Sequence, residues 1–408
     1  MPENQERPES TSFGVYVHFP WCLKKCPYCD FLSVAAEPQA IPHQEYADAV
    51  VSELARRAEG FGTRRLASIF FGGGTPSLWA PTALGRVLRA VLEAASASAS
   101  ATAEEVEITV ECNPTSFDAE RARALLDLGV NRVSIGVQGL EAERLRFLGR
   151  LHDVAGGLDA VKAAITAGVP RVSADLIFGV AGQSPEAAAG EAARIAELGP
   201  THVSAYALTI EPGTQFGALA KKGKLPLLGE AAIADSFVAV EAALEGAGFQ
   251  HYEISNYARL GHVARHNLGY WRGDDYLGLG TGAWGTWTIG GRRLRYRNTP
   301  SPERYLAGAD QWASYDLECA EIGALVSEAE VIDGETALRE RLMLGLRLDE
   351  GIDFEAAAAE LDVPGWTPAR ERAAARLVKA GRLSRAGPRL WVPKAARLFT
   401  DGTVRDLL

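Results

Sequence analysis

The chain has 408 residues, 47% of them hydrophobic, and a formal charge of −10. That length and apolar content predict more than one domain around a large core, while the acidic balance argues against a nucleic-acid partner, because phosphate binding needs a concentrated basic surface. No apolar run approaches the roughly 20 residues of a membrane span, and Met1 to Ser12 lacks the basic-then-apolar order of a signal peptide, so a cytoplasmic protein without an integral membrane segment is expected.

In chain order, the first predicted strand is Val15–Phe19, β-branched and aromatic, and it leads directly into Cys22, Cys26 and Cys29, three of the five cysteines. A [4Fe–4S] cube normally takes four thiolates. A loop supplying three leaves one iron open for a ligand that is not protein. Two other readings compete. Structural zinc wants four protein ligands, and neither Cys112 nor Cys319 lies at a knuckle spacing. A disulfide suits small secreted domains, and three thiols leave one unpaired.

Further strand-like runs follow at Ser68–Phe71, Val106–Glu111, Arg132–Val137, Arg171–Ile177 and Val203–Thr209, separated by amphipathic segments such as Tyr46–Ala58, Pro81–Ala94, Asp118–Leu128 and Val154–Ala167. This alternation predicts an α/β fold of six βα units. Parallel pairing would give a partial (β/α)6 barrel with its chemistry at the carboxyl ends of the strands; an open doubly wound sheet is the competing architecture. The Ala/Ser/Thr stretch from Ala94 to Ala103 reads as a frayed helix end or surface loop.

The unusual residues sit at the strand ends: Gly72-Gly73-Gly74-Thr75 after the second run, Glu111 with Asn113-Pro114 after the third, Gln138 after the fourth and Asp175 in the fifth. On a barrel these converge on one mouth. Residues without a Cβ let backbone groups approach a small zwitterion. Glu111 and Asp175 offer acceptors for ammonium or ribose hydroxyls, against the plain alternative of a helix cap or an ion pair.

The motifs Tyr16-Val17-His18-Phe19-Pro20-Trp21-Cys22, Cys26-Pro27-Tyr28-Cys29, Gly72-Gly73-Gly74-Thr75-Pro76-Ser77, Glu111-Cys112-Asn113-Pro114 and Leu148-Gly149-Arg150-Leu151-His152 together resemble the oxygen-independent coproporphyrinogen III oxidase-like family of radical SAM proteins. The resemblance runs over nearly the whole chain. It implies that Cys22, Cys26 and Cys29 hold a [4Fe–4S] cluster. It also implies that Tyr16, Gly73, Gly74, Thr75, Glu111, Gln138, Arg150 and Asp175 contact S-adenosylmethionine, with Tyr28 against the adenine. In this family the nucleoside is reductively cleaved to a radical by an electron from a donor such as flavodoxin or ferredoxin.

Two features of the true oxidases are missing: Phe31 stands where they carry a further cysteine, and only about a dozen residues precede the first strand. Instead, His266-Asn267-Leu268-Gly269-Tyr270-Trp271 matches the signature of the family's heme-chaperone branch. The resemblance thus implies a protein that binds heme through His266, Asn267, Tyr270 and Trp271 and delivers it to an apo-hemoprotein acceptor. A coproporphyrinogen III oxidase or another radical enzyme of the family is the alternative. Trp284 stands where the family often has a histidine, and His251, His262, Cys112 and Cys319 read as structural.

The expected organisation is a terminus at 1–12, a barrel at 13–215, a bridging segment with the heme motif at 216–333 and a C-terminal module at 334–408. Within the last, Glu335–Leu348, Asp353–Leu361 and Pro368–Ala380 read as helices, followed by a hairpin over Leu383–Val392, a winged-helix-like pattern. The arginines at Arg292–Arg297 read as a solvated hairpin.

Overall fold

The computed structural model describes residues 12–98, 106–289, 291–309 and 325–408. Cys319 and the end of the Ala94–Ala103 stretch lie outside the described residues.

Six strands form where the apolar runs fall: β1 (Ser12–Phe19), β2 (Arg65–Gly73), β3 (Glu107–Cys112), β4 (Arg132–Gln138), β5 (Arg171–Phe178) and β6 (His202–Ala207). Between them run α1 (His43–Arg57), α2 (Pro81–Ser98), α3 (Ala119–Asp127), α4 (Val154–Thr166) and α5 (Pro185–Glu197). All six strands are parallel and neighbour one another in chain order. A doubly wound sheet reverses its strand order at a switch point; this one does not, so the six strands are the wall of a partial barrel.

Alternation along the strands sorts the side chains. Val15, Val17, Ile69, Phe71, Val110, Val133 and Ile135 are buried in the core beneath the helices, whereas Tyr16, Ser68, Glu111, Ser134 and Asp175 fall on the other face. Asp118, Asp153 and Ser184 start α3, α4 and α5 by accepting hydrogen bonds from Arg121 N, Gly156 N and Ala187 N, each satisfying an orphan donor of a first turn.

After β6 the chain adds α6 (Glu230–Gly246), β7 (Gln250–Glu253), β8 (Asn256–Ala258), α7 (Arg265–Arg272), β9 (Asp275–Leu279), β10 (Trp284–Ile289), β11 (Arg292–Asn298) and β12 (Val326–Ile332). These strands extend the barrel wall at both edges, giving a twelve-stranded sheet in the order β12-β11-β10-β9-β1-β2-β3-β4-β5-β6-β8-β7. β9 runs parallel to β1. The arginine run does form a hairpin with β10, but as an inner strand, β11, between β10 and β12 rather than as a solvated one. It buries Leu294, Tyr296 and Asn298 and pairs Arg295 with Glu330 and Arg297 with Glu328 across the strands.

The winged-helix-like module contains α8 (Gly334–Gly345), α9 (Phe354–Glu360), α10 (Pro368–Lys379), a small sheet of Ile352–Asp353, Arg389–Trp391 and Ser384–Ala386, and α11 (Thr400–Leu407). It has its own core around Leu338, Leu342, Phe354, Leu377 and Leu390. Arg397 ties it to the barrel, pairing with Glu241 of α6 beside His251 and with Asp349.

Candidate functional site

The cysteine loop leaves β1 at the barrel mouth and is clamped by the glycine run that ends β2. Gly74 N donates to Phe19 O at 2.7 Å and Thr75 N to Trp21 O at 2.9 Å. Gly73 has φ +108°, and a Cβ there would lie 2.4 Å from the His18 ring; only glycine takes that backbone and that closeness without strain. The glycines therefore let the loop pack, besides any space they leave for a ligand. Within the loop, Thr75 Oγ1 donates to Cys22 Sγ at 3.3 Å and Arg150 Nη1 to Cys26 Sγ at 3.6 Å. Burial raises the Cys22 thiol and lifts Cys29 to about 11, so both thiolates want a positive partner.

All three cysteines are half-buried free thiols. Three thiolates from one loop suit a cube, which spreads its ligands over separate irons and can leave one iron to a ligand that is not protein, whereas structural zinc wants four protein ligands. When bound, such a cluster supplies one-electron chemistry.

Beside the loop, the strand ends bring the expected nucleoside contacts together. Glu111 accepts from Gly73 N at 3.0 Å, Asp175 accepts from Ser134 Oγ at 3.0 Å, and Arg150 Nη2 donates to Gly136 O at 2.8 Å. Gln138 sits at a register shift between β4 and β5 with φ 67°, a left-handed conformation rare outside glycine. Its Oε1 and the Nε of Arg150 are buried without a hydrogen-bond partner among the described residues. Burial, reinforced by the charge of Asp175, pushes Glu111 up to about 8, and burial pushes Asp175 up to about 6. Two half-buried carboxyls, one raised by the charge of the other, next to unsatisfied polar atoms, suit a cationic, polar ligand; a sulfonium carrying an ammonium and a ribose is one. Tyr28 lies 6.4 Å from Phe216 in a small apolar cluster that also contains Leu148 and Ile177, with its hydroxyl within the influence of Arg150 and Cys26.

Tyr16 links the mouth to the barrel interior. Its hydroxyl meets His18 Nδ1 at 2.9 Å, and His18 Nε2 meets Leu32 O at 2.9 Å. Desolvation lowers His18 to about 4, so it stays neutral. Neither His18 nor Ser134 and Ser173, which hold Asp175, was singled out by spacing. Their inward position on β1, β4 and β5 is the signal that could have found them.

The His266-to-Trp271 motif forms α7, which crosses the opposite, amino-terminal end of the barrel. His266 N donates to Glu107 Oε1 at 3.1 Å, and Arg132 Nη2 donates to His262 O and Val263 O. The His266 ring is buried. Its Nδ1 meets Ser68 Oγ at 2.8 Å, its Nε2 meets Tyr270 OH at 2.9 Å, and it stacks on Phe70 at 5.0 Å. Burial lowers its pKa to about 3. To ligate iron, His266 would have to give up one of these bonds. Asn267 is half-buried on the same helix. Trp271 faces away from this plug, into a cleft against the C-terminal module.

The radical SAM superfamily model matches residues 16–192, and the HemN C-terminal domain model matches residues 332–399. The heme chaperone HemW of Escherichia coli is 39% identical over 310 residues, spanning 76% of this chain and 79% of its own. HemW of Mycobacterium tuberculosis is 33% identical over 401 residues, spanning 97% and 95%. In fold, the chain superposes on the E. coli coproporphyrinogen III oxidase HemN with a TM-score of 0.77 at 22% identity, covering 99% of this chain and 91% of that one. The chain is a member of the HemW family of radical SAM proteins.

Proposed function

We propose that this protein is a heme chaperone: it carries a [4Fe–4S] cluster on Cys22, Cys26 and Cys29, binds S-adenosylmethionine at the carboxyl ends of β2 to β5, and hands heme to an acceptor hemoprotein. The observation that carries the reading is the near full-length match to proteins named as heme chaperones, joined to a mouth whose thiols and paired carboxyls suit cluster and nucleoside. Glu111 and Asp175 balance the ligand's positive charge, Arg150 orients the cysteine loop through Cys26, and Tyr16 with His18 holds the loop's return at Leu32. An electron donor such as flavodoxin or ferredoxin would reach the cluster at this mouth. A cytoplasmic site of action accords with a chain in which no described helix is long and apolar enough to cross a membrane.

The test is anaerobic reconstitution followed by hemin in one sample and coproporphyrinogen III with a reductant and S-adenosylmethionine in another. A Soret band without decarboxylated product is expected. Multiple-turnover decarboxylation would replace the chaperone reading with the oxidase one.

A further inference from the structure

The heme motif is divided by its own helix. His266 and Tyr270 turn into the barrel floor, bonded to each other and to Ser68. Trp271 and Arg272, one step further along α7, line a cleft of about 520 Å3 between that helix and the C-terminal module. This volume lies within the roughly 300–1,000 Å3 of small-molecule sites.

The cleft joins an apolar wall to a ring of guanidinium groups. Ile352, Ala356 and Leu361 of the module stand with Trp271, and Arg272, Arg293, Arg341 and Arg389 surround them. The carboxylates that line it have partners of their own. Asp275 takes Arg64 at 3.0 Å, Asp353 caps α9 by accepting from Ala356 N, Glu350 takes Arg272 at 2.9 Å and Glu360 takes Arg341 at 2.6 Å; Asp274 lies among Arg341, Arg272 and Arg293. The Arg272–Glu350 pair is half exposed on both sides, and Glu360 is half exposed opposite a more buried Arg341. Solvent-facing pairs are weak, so Arg272 can exchange Glu350, and Arg341 the solvated Glu360, for an incoming carboxylate. Arg341 is also under-satisfied, since its Nε is buried without a partner among the described residues.

We propose that heme is held in this cleft, its macrocycle against Trp271 and the module's apolar wall and its propionates on Arg272, Arg341 and Arg389. The site rests on the heme-carrying function proposed above. It gives the C-terminal module a direct part in holding the cargo, on the far side of the barrel floor from the cysteine loop. An aromatic face suits the flat, apolar ring, and a fixed guanidinium fork suits carboxylates.

The test is hemin titration of the full-length, cluster-reconstituted protein and three variants. Ala356 is exposed on α9, so Ala356→Trp should fill the cleft from the surface and weaken hemin binding at least about tenfold, leaving the iron–sulfur absorbance unchanged. Arg341→Gln and Trp271→Ala should each weaken it by roughly tenfold, the scale of one charge-assisted or stacking contact. Hemin dimethyl ester, which lacks free propionates, should bind the parent weakly and show no further loss in Arg341→Gln. If the parent binds hemin and Ala356→Trp and Arg341→Gln bind it equally tightly, the cleft is not the site, although the chaperone reading stands. If the parent binds no hemin, that reading falls and takes this inference with it.

Discussion

Glu111 gives the sharpest test of the nucleoside site. Burial and the neighbouring Asp175 raise its carboxyl from 4.5 to about 8, which is on the order of 5 kcal/mol against the ionised form. At pH 7 the side chain is therefore about nine-tenths protonated by simple titration. A cationic ligand favours the carboxylate, so binding S-adenosylmethionine should expel that proton. Between about pH 6 and pH 7.5 affinity should rise up to about tenfold per unit as the pH increases, pass through a maximum near pH 8, and fall above it as the ligand's own ammonium deprotonates. Two smaller effects nearly cancel at pH 7: Asp175, at about 6, releases about 0.1 proton, and the ligand's own amino group, near the ordinary 7.7–8.0, takes up about as much. Calorimetry in buffers of different ionisation enthalpy should thus count about 0.9 proton released by the parent and close to none by Glu111→Gln. Equal proton counts for the two proteins would show that Glu111 is not the group answering the ligand's charge.

Other consequences follow from the packing. Gly73→Ala places a Cβ 2.4 Å from the His18 ring at φ +108°, so urea unfolding should show a loss of more than about 2 kcal/mol, and the variant should retain iron poorly; near-parental stability would mean the clamp on the cysteine loop is misread. His266→Ala removes two buried hydrogen bonds and a ring stack and should cost about 3 kcal/mol in the same assay. A change under about 0.5 kcal/mol would show that the barrel floor does not depend on it. Arg397→Met removes the guanidinium shared by Glu241 and Asp349 but leaves Glu241 with His251 and Lys394 and Asp349 largely in solvent, so it should cost about 1 kcal/mol and speed limited proteolysis of the C-terminal module; an unchanged digestion rate would show that the module is anchored by other contacts.

The six barrel strands were legible because parallel strands under helices read as short apolar runs, and the predicted and observed spans agree to within a few residues. The strand-end polar residues were legible for the same reason, since a barrel's geometry makes their meeting predictable. What escaped was set by tertiary pairing. β11 reads as charged because Arg293, Arg295 and Arg297 alternate with the buried Leu294, Tyr296 and Asn298, and it is the glutamates of β12, far along the chain, that cover its second edge and make it an inner strand. Likewise, the spacing from His266 to Trp271 cannot say that one helix turns its histidine into the barrel and its tryptophan outward; that depends on Ser68, Phe70 and Glu107.

The measurement closest to the central claim is heme transfer. The anaerobically reconstituted protein, loaded with one equivalent of hemin, should be mixed with an apo-hemoprotein acceptor and followed in the Soret region, with free hemin at the same concentration as the control. The account predicts that the chaperone spectrum gives way to that of the filled acceptor, faster or more completely than with free hemin. Retention of the hemin, or transfer no better than from free hemin, would contradict it.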